Sequence, residues 1–317
     1  MPTGSECCGK TRMFKKSFAI VALVWGILTT DHVAFAQGAG DKYVLDSLKT
    51  LLAARTIESD IRIETYVDGK AYAAWGRYEE QALPKATPGA FLRSMYRLDI
   101  YFSMTSPTAN DSEPNRMTLV CHPSEDKDTN QIRCYTHVEG VKSFSTIDLA
   151  KLEGRLISAN KEAVFAQVSE VRNLGGLAGM MRQISRFYEF VAPTQENLQD
   201  EEAVPTWKLT GTLRSIYHKQ LLSQFGGLDK RGRYPVDFPS DVEVWIGRHN
   251  DFPYKIRYLR RISEASPPKE PLFQESFYKV NLNGTPISSS KFAPLTPPVD
   301  FFSIQDDTDR FIKSLGL

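Results

Sequence analysis

The stretch that decides the fold is residues 241–261, DVEVWIGRHNDFPYKIRYLRR. In residues 242–246 and again in residues 254–258 every second side chain is apolar, and the residues between them are of turn-forming types. Strict alternation of this kind predicts two strands of a β-hairpin. Since one face is apolar and the other largely charged, the sheet should have one covered side and one side in water.

The rest of the chain extends this pattern into a meander that begins with one helix. Leucines at spacings of three and four predict an amphipathic helix over residues 42–55. Alternation then predicts further strands at residues 61–67, 71–79, 96–102, 116–121, 131–138, 141–146, 207–213 and 273–282. Helical patterns occupy residues 148–171, 174–191 and 217–225, while the polar residues 192–205 are expected to form a surface loop. Successive strands without helical crossovers predict an α+β fold with a strongly twisted antiparallel sheet or open barrel.

The helical segment 174–191, LGGLAGMMRQISRFYEFV, has two interpretations. It can pack permanently on the apolar face of the sheet. It can also be a mobile cover over a ligand cavity, which the flexible pair Met180 and Met181 and the glycines of its first turn favour. Both interpretations place the helix against the same sheet face.

The N-terminus predicts export. Basic residues precede an apolar run at residues 18–28, and Ala34-Phe35-Ala36 follows, as in a secretory signal peptide cleaved after Ala36. The run is shorter than the roughly 20 residues that a membrane-spanning helix needs. We therefore expect residues 1–36 to be a signal peptide, residues 37–317 to form a single domain, and the mature protein to be a monomer in an exported compartment without a membrane span.

Charge argues against nucleic acid as a partner. The chain has 39 basic and 38 acidic residues, and removal of residues 1–36 leaves 35 basic and 36 acidic ones. A nucleic-acid-binding domain usually has a marked basic excess, which residues 37–317 lack.

Two cysteines remain in the mature chain, Cys121 and Cys134. In an oxidising compartment an even number of cysteines predicts a disulfide, worth roughly 3 kcal/mol for a loop of this length. Free buried thiols are the first alternative. A metal site of Cys121, His122, Cys134 and His137 is the second, but adjacent residues of a strand face opposite ways.

The residues give little support for an enzyme. The mature chain has four histidines, none at metal-ligand spacing from another, and no G-x-S-x-G motif. Asp306, Asp307 and Asp309 precede a short amphipathic helix, where acidic residues are favoured electrostatically. We expect a non-catalytic protein without a cofactor or metal ion.

At the central hairpin and the C-terminal tail the sequence resembles the periplasmic lipoprotein carrier and receptor superfamily, the LolA/LolB type, which includes LppX/LprG-like lipid carriers. The matching residues are Val244-Trp245-Ile246, Asp251-Phe252-Pro253, Lys255-Ile256, the strand at residues 277–282, Phe292, Pro294, Pro297-Pro298 and Val299-Asp300. The resemblance is best over about the last 80 residues. It implies a half-open, strongly curved antiparallel sheet whose concave face is covered by helices, in the periplasm of a Gram-negative-type bacterium.

The resemblance also implies a carrier of lipid or lipoprotein acyl chains, with possible envelope proteins as partners. The inward-facing candidates for the wall of the ligand cavity are Ile61, Ile63, Leu98, Ile100, Val244, Ile246 and Ile256, with Met181 and Ile184 from the cover. A buried arginine that holds the lid closed is expected at Arg93 or Arg97. The alternative is a non-catalytic envelope interaction module of the same fold, whose barrel is filled with side chains.

Overall fold

The structure is a computed structural model that describes residues 38–67, 69–83, 94–102, 115–123, 130–138, 141–158, 172–199, 203–267, 270–297 and 304–314. The strands are β1 (Thr56–Val67), β2 (Lys70–Ala82), β3 (Ser94–Phe102), β4 (Arg116–His122), β5 (Gln131–Val138), β6 (Val141–Asp148), β7 (Tyr188–Phe190), β8 (Thr194–Gln199), β9 (Ala203–Leu213), β10 (Asp241–Gly247), β11 (Pro253–Arg260), β12 (Glu270–Leu282) and β13 (Gln305–Asp306). The helices are α1 (Asp41–Ala53), α2 (Leu149–Ser158), α3 (Arg172–Phe187), α4 (Ser215–Gln224) and α5 (Thr308–Ser314).

All thirteen strands form one sheet in the order β13-β6-β5-β4-β3-β2-β1-β12-β11-β10-β9-β7, with β8 paired to β9 beside β7. Neighbouring strands are antiparallel except β13, which runs parallel to β6. The sheet is curved and does not close on itself. The predicted α+β fold with an open, curved antiparallel sheet is therefore confirmed, and the hairpin that suggested it is β10 and β11.

One apolar cluster lies between the inner face of the sheet and the helices α1 and α3, which contact each other. Val44, Leu48 and Leu51 of α1 belong to this cluster because they recur along one side of the helix. The outer face of the sheet carries a separate cover: residues 283–297 cross it, and Phe292 is fully buried there. Among the described residues no helix is long and apolar enough to cross a membrane.

The structure corrects two predictions about local structure. The segment expected to be a surface loop, residues 192–205, contains β8 and the start of β9. The predicted helix 174–191 is interrupted at Gly176, and its last residues form β7. Backbone pairing with β9 decides the conformation of β7 and β8. No alternation of apolar residues marks β8, because nearly all of its side chains are exposed.

Candidate ligand site beneath the covering helices

The predicted cavity wall is brought together by the register of the sheet. Val244 lies directly opposite Ile256 on β11 and Leu209 on β9, so aliphatic side chains form a continuous row on the inner face. All nine residues predicted for the wall and cover are at most 9 % exposed and belong to the same apolar cluster: Ile61, Ile63, Leu98, Ile100, Met181, Ile184, Val244, Ile246 and Ile256. All nine are therefore buried in the one apolar cluster between the sheet and the helices α1 and α3, and we call those on the sheet the floor.

A carboxylate interrupts this floor. Glu275 is fully buried and lies in register between Ile256 on β11 and Ile63 on β1. The alternation of β12 indicates this position, because Phe273, Glu275 and Phe277 are alternate residues and therefore lie on the same face of the strand. The floor is thus aliphatic with one acidic side chain near its middle.

A second buried carboxylate attaches the cover to the sheet. Glu80 on β2 accepts hydrogen bonds from the hydroxyl groups of Tyr78 at 2.5 Å and Ser94 at 2.6 Å. The backbone N–H of Leu177 on α3 donates to Tyr78 Oη at 3.0 Å and to Glu80 Oε2 at 3.3 Å. We call Tyr78, Glu80, Ser94 and Leu177 the latch. Because hydrogen bonds to a charged acceptor are strong, the latch fixes the start of the cover.

Gly176 breaks the helix directly before the latch. Its φ of 57° and ψ of −149° are not helical, so the continuous helix of α3 starts at Leu177. A Cβ at this position would stand 2.6 Å from Glu80 Oε1, too close for any L-residue side chain. The latch and the helix break at Gly176 were not predicted from the sequence. Extending the alternation of β2 beyond Tyr78 would have placed Glu80 on the inner face.

The other end of the cover is held by a buried ion pair. Arg214 Nη2 lies 2.7 Å from Asp41 Oδ2, and both side chains are less than a tenth exposed. Asp41 also accepts a hydrogen bond from the backbone N–H of Phe190 at 2.9 Å, and the backbone N–H of Arg214 donates to Phe187 O at 2.8 Å. The pair therefore ties the start of α1 to β7 and to the end of α3.

The lid-holding role predicted for arginine is not supported at Arg97. Its position in β3 has the opposite parity to Leu98 and Ile100, which puts it on the outer face. There Arg97 Nη1 donates to the backbone carbonyl of Lys291 at 3.1 Å, so it holds the C-terminal segment rather than α3. Arg93, the other candidate, lies outside the described residues.

The predicted disulfide is wrong for this structure, in which Cys121 and Cys134 are free. Cys121 is in register with Ile132, whereas Cys134 is in register with Leu119. The two cysteines are thus diagonal neighbours, which lie about 7–8 Å apart, too far for a disulfide. Nor do the described residues place three or more His, Cys, Asp or Glu side chains where they could hold a metal ion.

Both thiols should be unreactive in the folded protein. Burial raises the pKa of Cys134 to about 11 and raises the pKa of Cys121 strongly, with the charge of Glu80 as a further cause at Cys121. At pH 8 a thiol with this pKa is about 0.1 % thiolate, whereas an exposed cysteine is about a quarter thiolate. We expect alkylation by iodoacetamide to be more than about 100-fold faster in denaturant than in buffer.

The raised pKa values of the two thiols also predict how the stability of the fold depends on pH. Unfolded thiols lose their protons near pH 8.5, so the unfolded state binds fewer protons above that pH and stability falls as the pH rises toward 11.

Intact mass measured without reductant checks the redox state of Cys121 and Cys134. A mass lower by two hydrogens would show that the bridge forms after all.

No family model and no curated protein matches this chain. Among solved structures, a DUF1329 family protein from Desulfovibrio piger is 10 % identical with a TM-score of 0.35, over 81 % of this chain and 98 % of that protein. LprF from Mycobacterium bovis is 10 % identical with a TM-score of 0.36, over 80 % and 97 % of the two chains. The MucA/MucB complex from Pseudomonas aeruginosa gives 12 % identity and a TM-score of 0.35, over 81 % of this chain and 62 % of that one.

A LolA superfamily protein from Nitrosomonas europaea also matches, with 11 % identity and a TM-score of 0.24, over 79 % of this chain and 97 % of that one. The superfamily that the sequence resembles is therefore represented among these structures. The identities are 10–12 % and the TM-scores 0.24–0.36. Similarity at this level does not identify a ligand, partner or activity of this chain.

Proposed function

We propose that this chain is an exported, non-catalytic carrier that holds acyl chains or another hydrophobic ligand between the inner face of the sheet and α3. The proposal includes cleavage after Ala36, a single domain over residues 37–317, and a periplasmic location. The observation that carries it is the attachment of the cover. α3 lies over an aliphatic floor and starts at a glycine hinge held by hydrogen bonds to a buried carboxylate.

The physical reason is that such a cover can open and close. Each buried methylene of an acyl chain contributes about 0.8 kcal/mol, so a long chain binds well to an aliphatic wall without any covalent chemistry. The hydrogen bonds that the latch makes to the Glu80 carboxylate can be exchanged for bonds to water at a net cost of about 1.5–3 kcal/mol each. Ligand entry would therefore require release of the latch, so that the chain bends at Gly176 and the start of α3 lifts while Phe187 stays attached.

One observation favours a second function. All nine residues of the predicted wall and cover are at most 9 % exposed and belong to a single apolar cluster. This is also what an interior filled by its own side chains requires. In that case the protein would be an envelope interaction module that binds other proteins through its surface.

Enlarging one floor side chain separates the two functions. In a carrier, Val244→Phe should remove a bound lipid and change the free energy of unfolding by less than about 1 kcal/mol, because the new ring occupies ligand space. In a filled interior the same ring should cost about 1–3 kcal/mol through overpacking. Native mass spectrometry with lipid extraction, on the protein from Gln37 onward purified from an exported compartment, measures the ligand, and denaturant unfolding measures stability.

Val120→Phe is the matched control. Val120 is fully buried in β4 but lies outside the inner cluster. This variant should keep any bound lipid and lose stability. A wild-type protein without bound lipid, together with equal destabilisation by the two substitutions, would contradict the carrier function and support the filled module.

A further inference from the structure

One edge of the sheet carries an exposed strand, β8. Arg248 N donates to Pro205 O on β9 at 3.0 Å, so the backbone groups of Pro205 point toward β10. Asn197 is the register partner of Pro205, and its own backbone N–H and C=O therefore point away from β9. By alternation the backbone groups of Gln195 and Gln199 point the same way.

These outward groups form an open hydrogen-bonding edge. Within the described part of the chain, no backbone hydrogen bond involves Gln195, Asn197 or Gln199 outside the ladder with β9. All three residues are exposed. Edge strands are usually protected by lysine, proline or a bulge, and the six residues of β8 have none of these.

We propose that β8 pairs antiparallel with β8 of a second copy of this chain, across a two-fold axis at Asn197. This register puts Gln195 opposite Gln199 of the partner subunit and Glu196 opposite Leu198 of the partner subunit. The amide side chains then face amide side chains, and the two copies of Glu196 are diagonal neighbours, about 7–8 Å apart, rather than directly opposite. A two-fold axis requires self-complementarity, which Gln195, Asn197 and Gln199 of the sequence TQENLQ have in this register.

Charge and size set the strength of this contact. Residues 37–317 carry 35 basic and 36 acidic residues, so two copies do not repel each other through net charge. Val191, which is 62 % exposed at the same edge, adds an apolar side chain beside the contact. One pair of six-residue strands buries less than the roughly 1,200 Å² of a stable complex, so the dimer should be weak and should form at micromolar concentrations or above. The monomer expected from the sequence would then hold at low concentration.

A proline substitution tests the backbone pairing directly. Asn197→Pro removes an outward N–H without removing any hydrogen bond to β9, whereas Asn197→Ala keeps that N–H and changes only the side chain. Sedimentation velocity on the protein from Gln37 onward should show a dimer for the wild type and for Asn197→Ala. For Asn197→Pro we expect dimerisation weaker by about tenfold or more. A wild type that stays monomeric at several hundred micromolar, or equal effects of the two variants, would overturn the proposal.

Hydrogen exchange gives a second measurement that needs no variant. The amides of Gln195, Asn197 and Gln199 should exchange more slowly as the protein concentration rises. The amide of Glu196 already bonds to β9 and should not change. Exchange at the three outward amides that does not depend on concentration would refute pairing at this edge, whether or not the interior holds a lipid.

Discussion

Replacing Gly176 with alanine should detach the start of α3 and lower the free energy of unfolding by about 3 kcal/mol. The backbone at Gly176 has a positive φ, which costs an alanine about 1–3 kcal/mol. The new Cβ would also stand 2.6 Å from Glu80 Oε1 and 2.8 Å from Glu80 Oε2, so the carboxylate must move and the latch must break. Denaturant unfolding measures the global loss, and faster hydrogen exchange at Leu177 reports the local opening.

Gly154 supplies the control for this substitution. It lies in α2, is exposed, and would place an added Cβ in open space. Gly154→Ala should therefore stabilise the protein slightly, by up to about 1 kcal/mol, as expected for a helix interior. The hinge would be refuted by a Gly176→Ala variant as stable as the wild type with unchanged exchange at Leu177. If the chain is a carrier, Gly176→Ala should also release its ligand faster.

Replacing Asp41 with asparagine should cost about 3–5 kcal/mol, because it removes the carboxylate charge from the buried ion pair with Arg214. Asp41 Oδ2 lies 2.7 Å from Arg214 Nη2, and the carboxylate also accepts bonds from the backbone N–H groups of Phe190 and Gly38. Asparagine keeps the shape of the side chain but has only one acceptor oxygen and no charge. Denaturant unfolding at constant pH and salt gives the loss.

The exposed pair of Asp46 and Lys49, at 2.8 Å on the same helix, is the control. Asp46→Asn should cost less than about 0.5 kcal/mol, because water and salt screen an exposed pair. Adding Arg214→Met to Asp41→Asn should recover part of the loss by removing the buried charge. Equal effects of Asp41→Asn and Asp46→Asn would mean that the buried pair does not hold α1 in place.

Together the two substitutions test whether the cover is hinged. The buried ion pair holds α1 and the end of α3, while the latch holds the start of α3 through the backbone N–H of Leu177, which donates to Tyr78 and Glu80. A cover of this kind would open at Gly176 and stay attached at Phe187. Hydrogen exchange along α3 should accordingly be fastest near Leu177 in the wild-type protein.

The sequence by itself determined which residues face the interior. Period-two alternation assigns each strand residue to a face, and it placed Ile61, Leu98 and Val244 correctly among the buried side chains of the inner cluster. The same alternation revealed the hairpin of β10 and β11 and the antiparallel meander before it. Local patterns are sufficient here because burial on one face selects the residue types directly.

Only the tertiary structure decided what depends on register and on distant chain segments. Alternation places Cys121 and Cys134 on one face but does not show that they are diagonal neighbours, which is why the disulfide was predicted wrongly. It does not show that Arg97 meets the carbonyl of Lys291, or that Glu80 meets Leu177, because each pair is about a hundred residues or more apart in the chain. The strand β8 has no pattern of its own, since hydrogen bonds to β9 hold it and they use backbone groups common to every residue.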